Sequence, residues 1–238
     1  MKKGKDNLPT TFDKQDAYYQ QDWQDYYPTI IPLVPTDSSV LDVGCGRGGL
    51  LKYLRDKKDC FVMGLDISDD AITVCRKKDI EVIKGDVEED RIPGTYDVII
   101  LSAVIEHLID PLSVLNKVRD NLDKKGCLIV GVPNFSQLSA RIQYLLGRNV
   151  KVFGDTEGDK KLGIQPYDHI QFFNKASLSY ILEKTGYTPI EWSYHKSSFS
   201  RDPKAPLHKL LFRWIIYKLY TIDPELVSGF IAVKAVKV

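Results

Sequence analysis

From residue 39 onward, short apolar runs alternate with amphipathic stretches. Residues 40–43, 60–65, 81–83, 96–101 and 127–132 are apolar runs short enough to be buried strands. Between them, Leu50, Leu51 and Leu54 share one helical face, and residues 69–77 suit a second helix. Leu112, Leu115, Val118 and Leu122 recur at helical spacing, with Gly126 just beyond as a helix terminator would be. This rhythm predicts an α/β domain: a mainly parallel sheet, helices on both faces, right-handed crossovers. After Pro133 the rhythm breaks. Residues 136–146 read as helix-like and 147–163 as a glycine- and charge-rich loop. A helix follows at 177–184, stopped by Gly186. Residues 188–195 and 230–236 read as closing strands, with an antiparallel strand at the C-terminus. The stretch 207–222 reads as a strongly apolar helix carrying scattered Lys and Arg.

Residues 1–36 stand apart as an aromatic-rich extension or lid, with Phe12, Tyr18, Tyr19, Trp23, Tyr26 and Tyr27. Pro28, Pro32 and Pro35 argue against one continuous helix there. A hydrophobic content of 43% and a charged content of 27% suit a soluble globular protein. A net charge of +1 gives no reason to expect a nucleic-acid partner. The polar N-terminus reads as no signal peptide, and no apolar run is long enough to span a bilayer. Cys45, Cys60, Cys75 and Cys127 form no CxxC pair, so reduced thiols and a cytoplasmic location are expected.

The chemistry concentrates after the first strand. Gly44, Gly46 and Gly49 have the G-x-G-x-x-G spacing of a turn that lets a nucleotide approach the backbone. Asp66, closing the second strand, can accept hydrogen bonds from both hydroxyls of an adenosine ribose. These two features suit NAD as well as S-adenosyl-L-methionine (SAM). Asp42, two residues before the first glycine, separates them: its carboxylate repels a pyrophosphate but tolerates a sulfonium with an α-amino group. Asp86, after the third strand, can accept from an adenine amino group. Residues 102–107 follow the fourth strand, at the carboxyl edge where ligands bind in open α/β sheets.

The segments VLDVGCGRG (40–48), GLDIS (64–68), GDVEE (85–89), YDVIILSAVIEHLIDP (96–111) and GCLIVGVPN (126–134) together resemble class I SAM-dependent methyltransferases in order and spacing. Val132, Pro133 and Asn134, with residues 168–173, resemble the branch of MetW-like proteins and methyltransferases of glycan gene clusters. The resemblance implies a Rossmann-like fold and SAM as cofactor, leaving as S-adenosyl-L-homocysteine (SAH). It implies that Gly44, Cys45 and Gly46 line the methionine part, and that Asp66 holds the ribose with Ile67 against the adenine. Asp86 and Val87 then meet the adenine edge, and Ser102 and Ala103 lie beneath the cofactor near its methyl group. Residues 37–238 become the methyltransferase domain, with 134–171 as acceptor-site insert and 207–222 as an added apolar helix.

Methyl transfer is an in-line displacement at carbon, so positioning dominates and a hydroxyl acceptor gains from a base. His107, past the fourth strand, and His169, at the end of the long loop, are the candidate catalytic residues; His195 is the lesser candidate. Glu106 and His107 also resemble part of the E-x-x-E-H metal motif of ubiquinone-type O-methyltransferases. Ala103 stands where that motif has its first Glu, so no metal is expected. Arg141, Arg148, Tyr167 and Asp168 suit a polar acceptor, and the branch resemblance points to a sugar or related small molecule. The expectation is O-methylation of a small polar or glycan-type acceptor. A MetW-like accessory protein acting through a partner enzyme is the alternative, and a nicotinamide-dependent oxidoreductase the weaker one. The helix at 207–222 is expected to pack on the domain or a second subunit, or to touch a membrane surface.

Overall fold

The computed structural model describes residues 22–147, 169–195 and 207–238. Seven strands form one sheet: β1 (Ser39–Val43), β2 (Phe61–Asp66), β3 (Glu81–Lys84), β4 (Tyr96–Ser102), β5 (Leu122–Pro133), β6 (Tyr187–Tyr194) and β7 (Phe230–Lys237). Their spatial order is β3-β2-β1-β4-β5-β7-β6. The first five strands run parallel, and β7 runs antiparallel to both β5 and β6. The expected Rossmann-like sheet with its reversed C-terminal strand is therefore present. The chain leaves β1 toward β2 and β3, then returns to β4 on the other side. That reversal opens a crevice at the carboxyl ends of β1 and β4.

The apolar runs have no polar alternation because helices cover both faces of the sheet. On one face Leu41, Ile99, Leu101, Leu128 and Val130 pack with Val114, Leu115 and Val118 of α4 (Pro111–Asp120) and with Leu178 and Leu182 of α6 (Lys175–Lys184). On the other, Val40, Val98, Ile100 and Ile129 meet Leu50 and Leu54 of α2 (Gly49–Lys58). Ile30 of α1 (Tyr27–Ile30) and Leu33 of the following 3-10 turn join this second cluster. Pro28 and Pro32 each sit in the first turn of these one-turn helices, where a missing N–H does no harm. Side-chain caps start the helices that flank the crevice. Ser68 Oγ accepts from Ala71 N at 3.3 Å before α3 (Asp69–Arg76), and Asp110 accepts from Ser113 N at 3.0 Å before α4.

One reading needs correction. Leu122 is not the last turn of α4, and Gly126 does not terminate it. The helix ends at Asp120, Leu122 already pairs with Tyr96, and the next registered pair is Cys127 with Val98. The extra residues bulge out, and Gly126 lies so near the Asp97 and Tyr96 carbonyls that a Cβ would meet them at 3.0 Å. Beyond β5, α5 (Leu138–Leu145) matches the helix-like stretch, while residues 148–168, with Arg148, Tyr167 and Asp168, lie outside the described residues. The C-terminal helix α7 (Leu207–Ile222) and the one-turn α8 (Pro224–Val227) lead into β7.

Candidate active site

The carboxyl ends of β1 to β4 bring the expected cofactor residues to one edge. The turn after β1 is built on two hydrogen bonds to a single acceptor: Gly44 N and Cys45 N donate to Leu65 O at 2.7 and 3.3 Å. Gly46 N donates to Asp66 Oδ2 at 2.7 Å, and Ser68 N to Asp66 Oδ1 at 2.9 Å. Asp66 thus fixes the glycine loop against the end of β2, with lone pairs left on each oxygen for a ligand hydroxyl. Gly46 has φ +52°, and no atom lies within 4 Å of where its Cβ would be, so the loop is open to a ligand there. The Cys45 side chain is turned into the core. Its thiol packs with Leu51, Cys75 and Ile80 beneath the loop, and all four cysteines are free and buried.

Asp86 caps its own turn, accepting from Glu88 N at 2.9 Å through Oδ1. Val87 is buried behind it, while Ile67 is 64% exposed beyond β2, an apolar side chain free to cover a flat base. Ala103 follows β4 with φ +55°, in the left-handed region that costs a non-glycine residue about 1–2 kcal/mol. Its N donates to Gly131 O at 2.9 Å, which holds that strained turn against β5. Ser102 Oγ, just before it, is buried without a hydrogen-bond partner in the structure.

The electrostatics are acidic. Burial, then the neighbouring Asp66 carboxylate, pushes Asp42 well above the usual carboxylate range. Tyr26 is raised by burial and then by the charges of Asp42 and Glu106. Its ring stacks on Phe230 at 4.4 Å and 12°. Tyr26 was visible in the sequence only as one aromatic among six. Nothing local marks it as a site residue, because β7 and the N-terminal segment meet only in the fold.

The two candidate histidines come together from 62 residues apart in the numbering: the His107 and His169 ring centroids are 4.7 Å apart. His107 ends a 3-10 turn (Ile105–His107), its N donating to Val104 O at 2.9 Å. His169 is brought to it because Ile170 N and Gln171 N both donate to Glu106 O, at 2.9 and 3.0 Å. The Phe135 ring stands edge-on to His169 at 6.3 Å and to Phe172 at 4.6 Å. Ligand atoms of Glu106, His107 and His169 all lie within 4.8 Å of one another. His195 is not in this group: it follows β6, buried, with its N donating to Phe230 O, and burial holds its imidazole below the usual range.

The strand-order reversal and the glycine turn clamped by the β2 carboxylate fit the class I SAM-dependent methyltransferase that the family match shows. The chain belongs to the methyltransferase-domain family, whose model matches residues 16–191. The ubiquinone biosynthesis O-methyltransferase of Vibrio campbellii is 31% identical over 162 residues, 63% of this chain and 63% of that one. This chain therefore spans less than two thirds of that relative's length. The bifunctional methionine biosynthesis protein MetXA/MetW of Rhodopirellula baltica is 28% identical over 143 residues, 55% of this chain and 22% of that one. In fold, the chain is similar to magnesium protoporphyrin IX methyltransferase from Synechocystis PCC 6803 with bound SAH. That match has a TM-score of 0.57 and 16% identity, over 93% of this chain and 84% of that one. SAM is the cofactor of the class, and a nicotinamide reading is set aside.

Proposed function

We propose that the protein moves the methyl group of SAM to a hydroxyl of a small acceptor, with the His107–His169 pair receiving the proton. The ring contact between those histidines, just past the strained Ala103 turn, carries this reading. The similarity to ubiquinone biosynthesis O-methyltransferases supports oxygen as the acceptor atom. Phe135, edge-on to His169 and packed on Phe172, suits the flat face of a phenol or the apolar face of a sugar. The site's residues bind and orient: Asp66 the ribose, Ile67 and Asp86 the base, Gly44 and Gly46 the methionine part.

The cluster of Glu106, His107 and His169 favours a second reading, in which a divalent cation polarises the acceptor hydroxyl. One carboxylate and two imidazoles suit zinc or a similar transition metal. Mg²⁺ prefers oxygen ligands, so this donor set fits it poorly. Labelled methyl transfer from SAM to phenols, catechols and free sugars, with and without a chelator, tests both. Transfer that survives chelation supports the histidine base, and transfer restored only by added zinc supports the metal. Stable SAM binding with no transfer to any acceptor would instead favour an accessory role such as the MetW similarity suggests.

We also propose that α7 rests on an anionic membrane surface rather than on a second copy of the chain. No helix among the described residues is long and apolar enough to cross a membrane. Yet the outward face of α7 carries exposed Trp214, Ile215, Tyr217 and Ile222, while Ile216, Leu219 and Tyr220 turn inward. Tyr220 Oη donates to Tyr194 O at 3.3 Å, fixing that orientation. The helix sequence contains Lys209, Arg213 and Lys218 and no carboxylate, a charge balance that suits an anionic surface. Adding phosphatidylglycerol to phosphatidylcholine vesicles is expected to raise the sedimented fraction about tenfold or more, at roughly 1 kcal/mol per surface cation. Trp214→Glu with Ile215→Glu should abolish the effect. Equal sedimentation with both vesicle types, or a dimer that the same substitutions dissociate, would overturn the assignment.

A further inference from the structure

The third glycine of the loop points to a part of the site that the cofactor motif does not include. A Cβ on Gly49 would sit 1.9 Å from Asp22 O and 3.4 Å from the Tyr27 ring. The backbone of the N-terminal segment therefore passes directly over the start of α2, and only glycine leaves room for it. The same Asp22 is gripped by two cations. Lys78 Nζ lies 2.6 Å from Asp22 Oδ2 and donates to Arg47 O at 2.5 Å, with its side chain 1% exposed. Arg47 Nε lies 2.9 Å from Asp22 Oδ1, and its Nη1 lies 3.2 Å from Asp70 Oδ2 of α3. Arg47 belongs to the glycine loop, between Gly46 and Gly48. The latch therefore ties three elements together: the N-terminal segment, the cofactor loop and α3.

Burying a lysine and a carboxylate is a poor way to gain stability, since desolvation offsets most of their attraction and apolar residues of similar size usually do as well. What such a pair provides is a fixed position. Here the fixed part is the loop carbonyl one residue from Gly46, the open edge of the cofactor turn. The far end of the same segment reaches the other side of the site. Trp23 packs edge-on against Tyr27 and Tyr53 at 5.3 and 5.4 Å. Tyr26 stacks on Phe230, and its phenol feels the charges of Asp42 and Glu106.

We infer that residues 22–27 are a strap over the cofactor site, and that the Asp22–Lys78–Arg47 latch is a positioning device that sets how firmly the glycine loop holds SAM. The inference rests on the assignment of that loop to the cofactor. Calorimetric titration of the full chain with SAH tests both and keeps them apart. Wild-type protein that ignores SAH would overturn the cofactor assignment itself. With wild type binding, Asp22→Asn and Lys78→Met should each weaken SAH at least tenfold and raise KM for SAM, leaving kcat at saturating SAM within about threefold. The double variant should be little worse than either single one, because one latch has been opened. A latch that only stabilises the fold would lower Tm while leaving the SAH Kd of the folded protein within twofold, and that result would overturn the inference. Arg47→Ala at a 42% exposed side chain, and Gly49→Ala, which must lift the strap, give the same readout should Lys78→Met fail to fold. Both should weaken SAH, and unchanged affinity in both would overturn the inference as well.

Discussion

Asp66→Ala should weaken SAH binding by about two orders of magnitude or more while leaving the protein folded. The carboxylate acts twice. It holds the glycine loop through Gly46 N at 2.7 Å and the α3 entrance through Ser68 N at 2.9 Å, and in the proposed site it also holds the ribose. Hydrogen bonds to a charged group contribute about 1.5–3 kcal/mol each, and two lost ribose contacts alone correspond to about a hundredfold or more. Loosening of the Gly46 turn adds to this. Asp66→Asn is not a mild substitute, because an amide must turn its NH₂ toward one of the two backbone donors that the carboxylate now satisfies. Asp42 behaves differently. Burial and the Asp66 charge raise its pKa, so its contribution to stability is present below its ordinary value of 3.8 and is lost as pH rises through the raised value. Asp42→Asn is therefore expected to raise the Tm of the ligand-free protein above that pH window. With SAM present the order should reverse, because a sulfonium and an ammonium group offset the buried charge. Thermal melts with and without SAM across pH check both signs, and an Asp42→Asn protein stabilised equally by SAM would contradict this role for the Asp42 charge.

The parts of this molecule that were legible in the sequence are those whose cause is local. Strands covered on both faces read as apolar runs because, past their first residues, few positions along them meet water, so β1, β2, β4 and β5 stand out. The glycine loop and Asp66 were readable because a tight turn beside a nucleoside restricts residue type within a few positions. The Leu122 and Gly126 error has the same root: a helical repeat of apolar residues ran one step too far, and only the pairing of Leu122 with Tyr96 shows where the helix stops. The latch was not legible. Asp22 and Lys78 are ordinary charged residues in sequence, and they become a buried ion pair only when the N-terminal segment crosses α2. Tyr26 is unmarked for the same reason. Gly49 was the one available signal, and it admits a second explanation, helix–sheet packing, until Asp22 O is seen where its Cβ would stand. The histidine pair lies between these cases: each residue was a candidate alone, while their contact depends on Glu106 O anchoring residues 170–171.

His107→Ala and His169→Ala should separate the base from its partner. Removing a general base costs about 10²–10⁴-fold in rate, and the loss is expected in kcat because the proposed SAM contacts are made by Asp66 and the glycine loop rather than by the histidines. If one histidine takes the proton and the other holds it in place, the worse single variant should approach the double variant, the non-additivity expected of residues acting as a unit. SAH affinity should stay within about threefold throughout, which a collapse of the site would not allow. The metal reading makes a different forecast for the same proteins: both single variants, and Glu106→Gln, should lose zinc binding in titration, and the activity of wild type should follow zinc occupancy. Full activity in the double variant would remove the histidines from the chemistry. The acceleration would then rest on alignment of the acceptor with the methyl–sulfur bond, which in favourable cases is worth about 7–11 kcal/mol without any proton transfer.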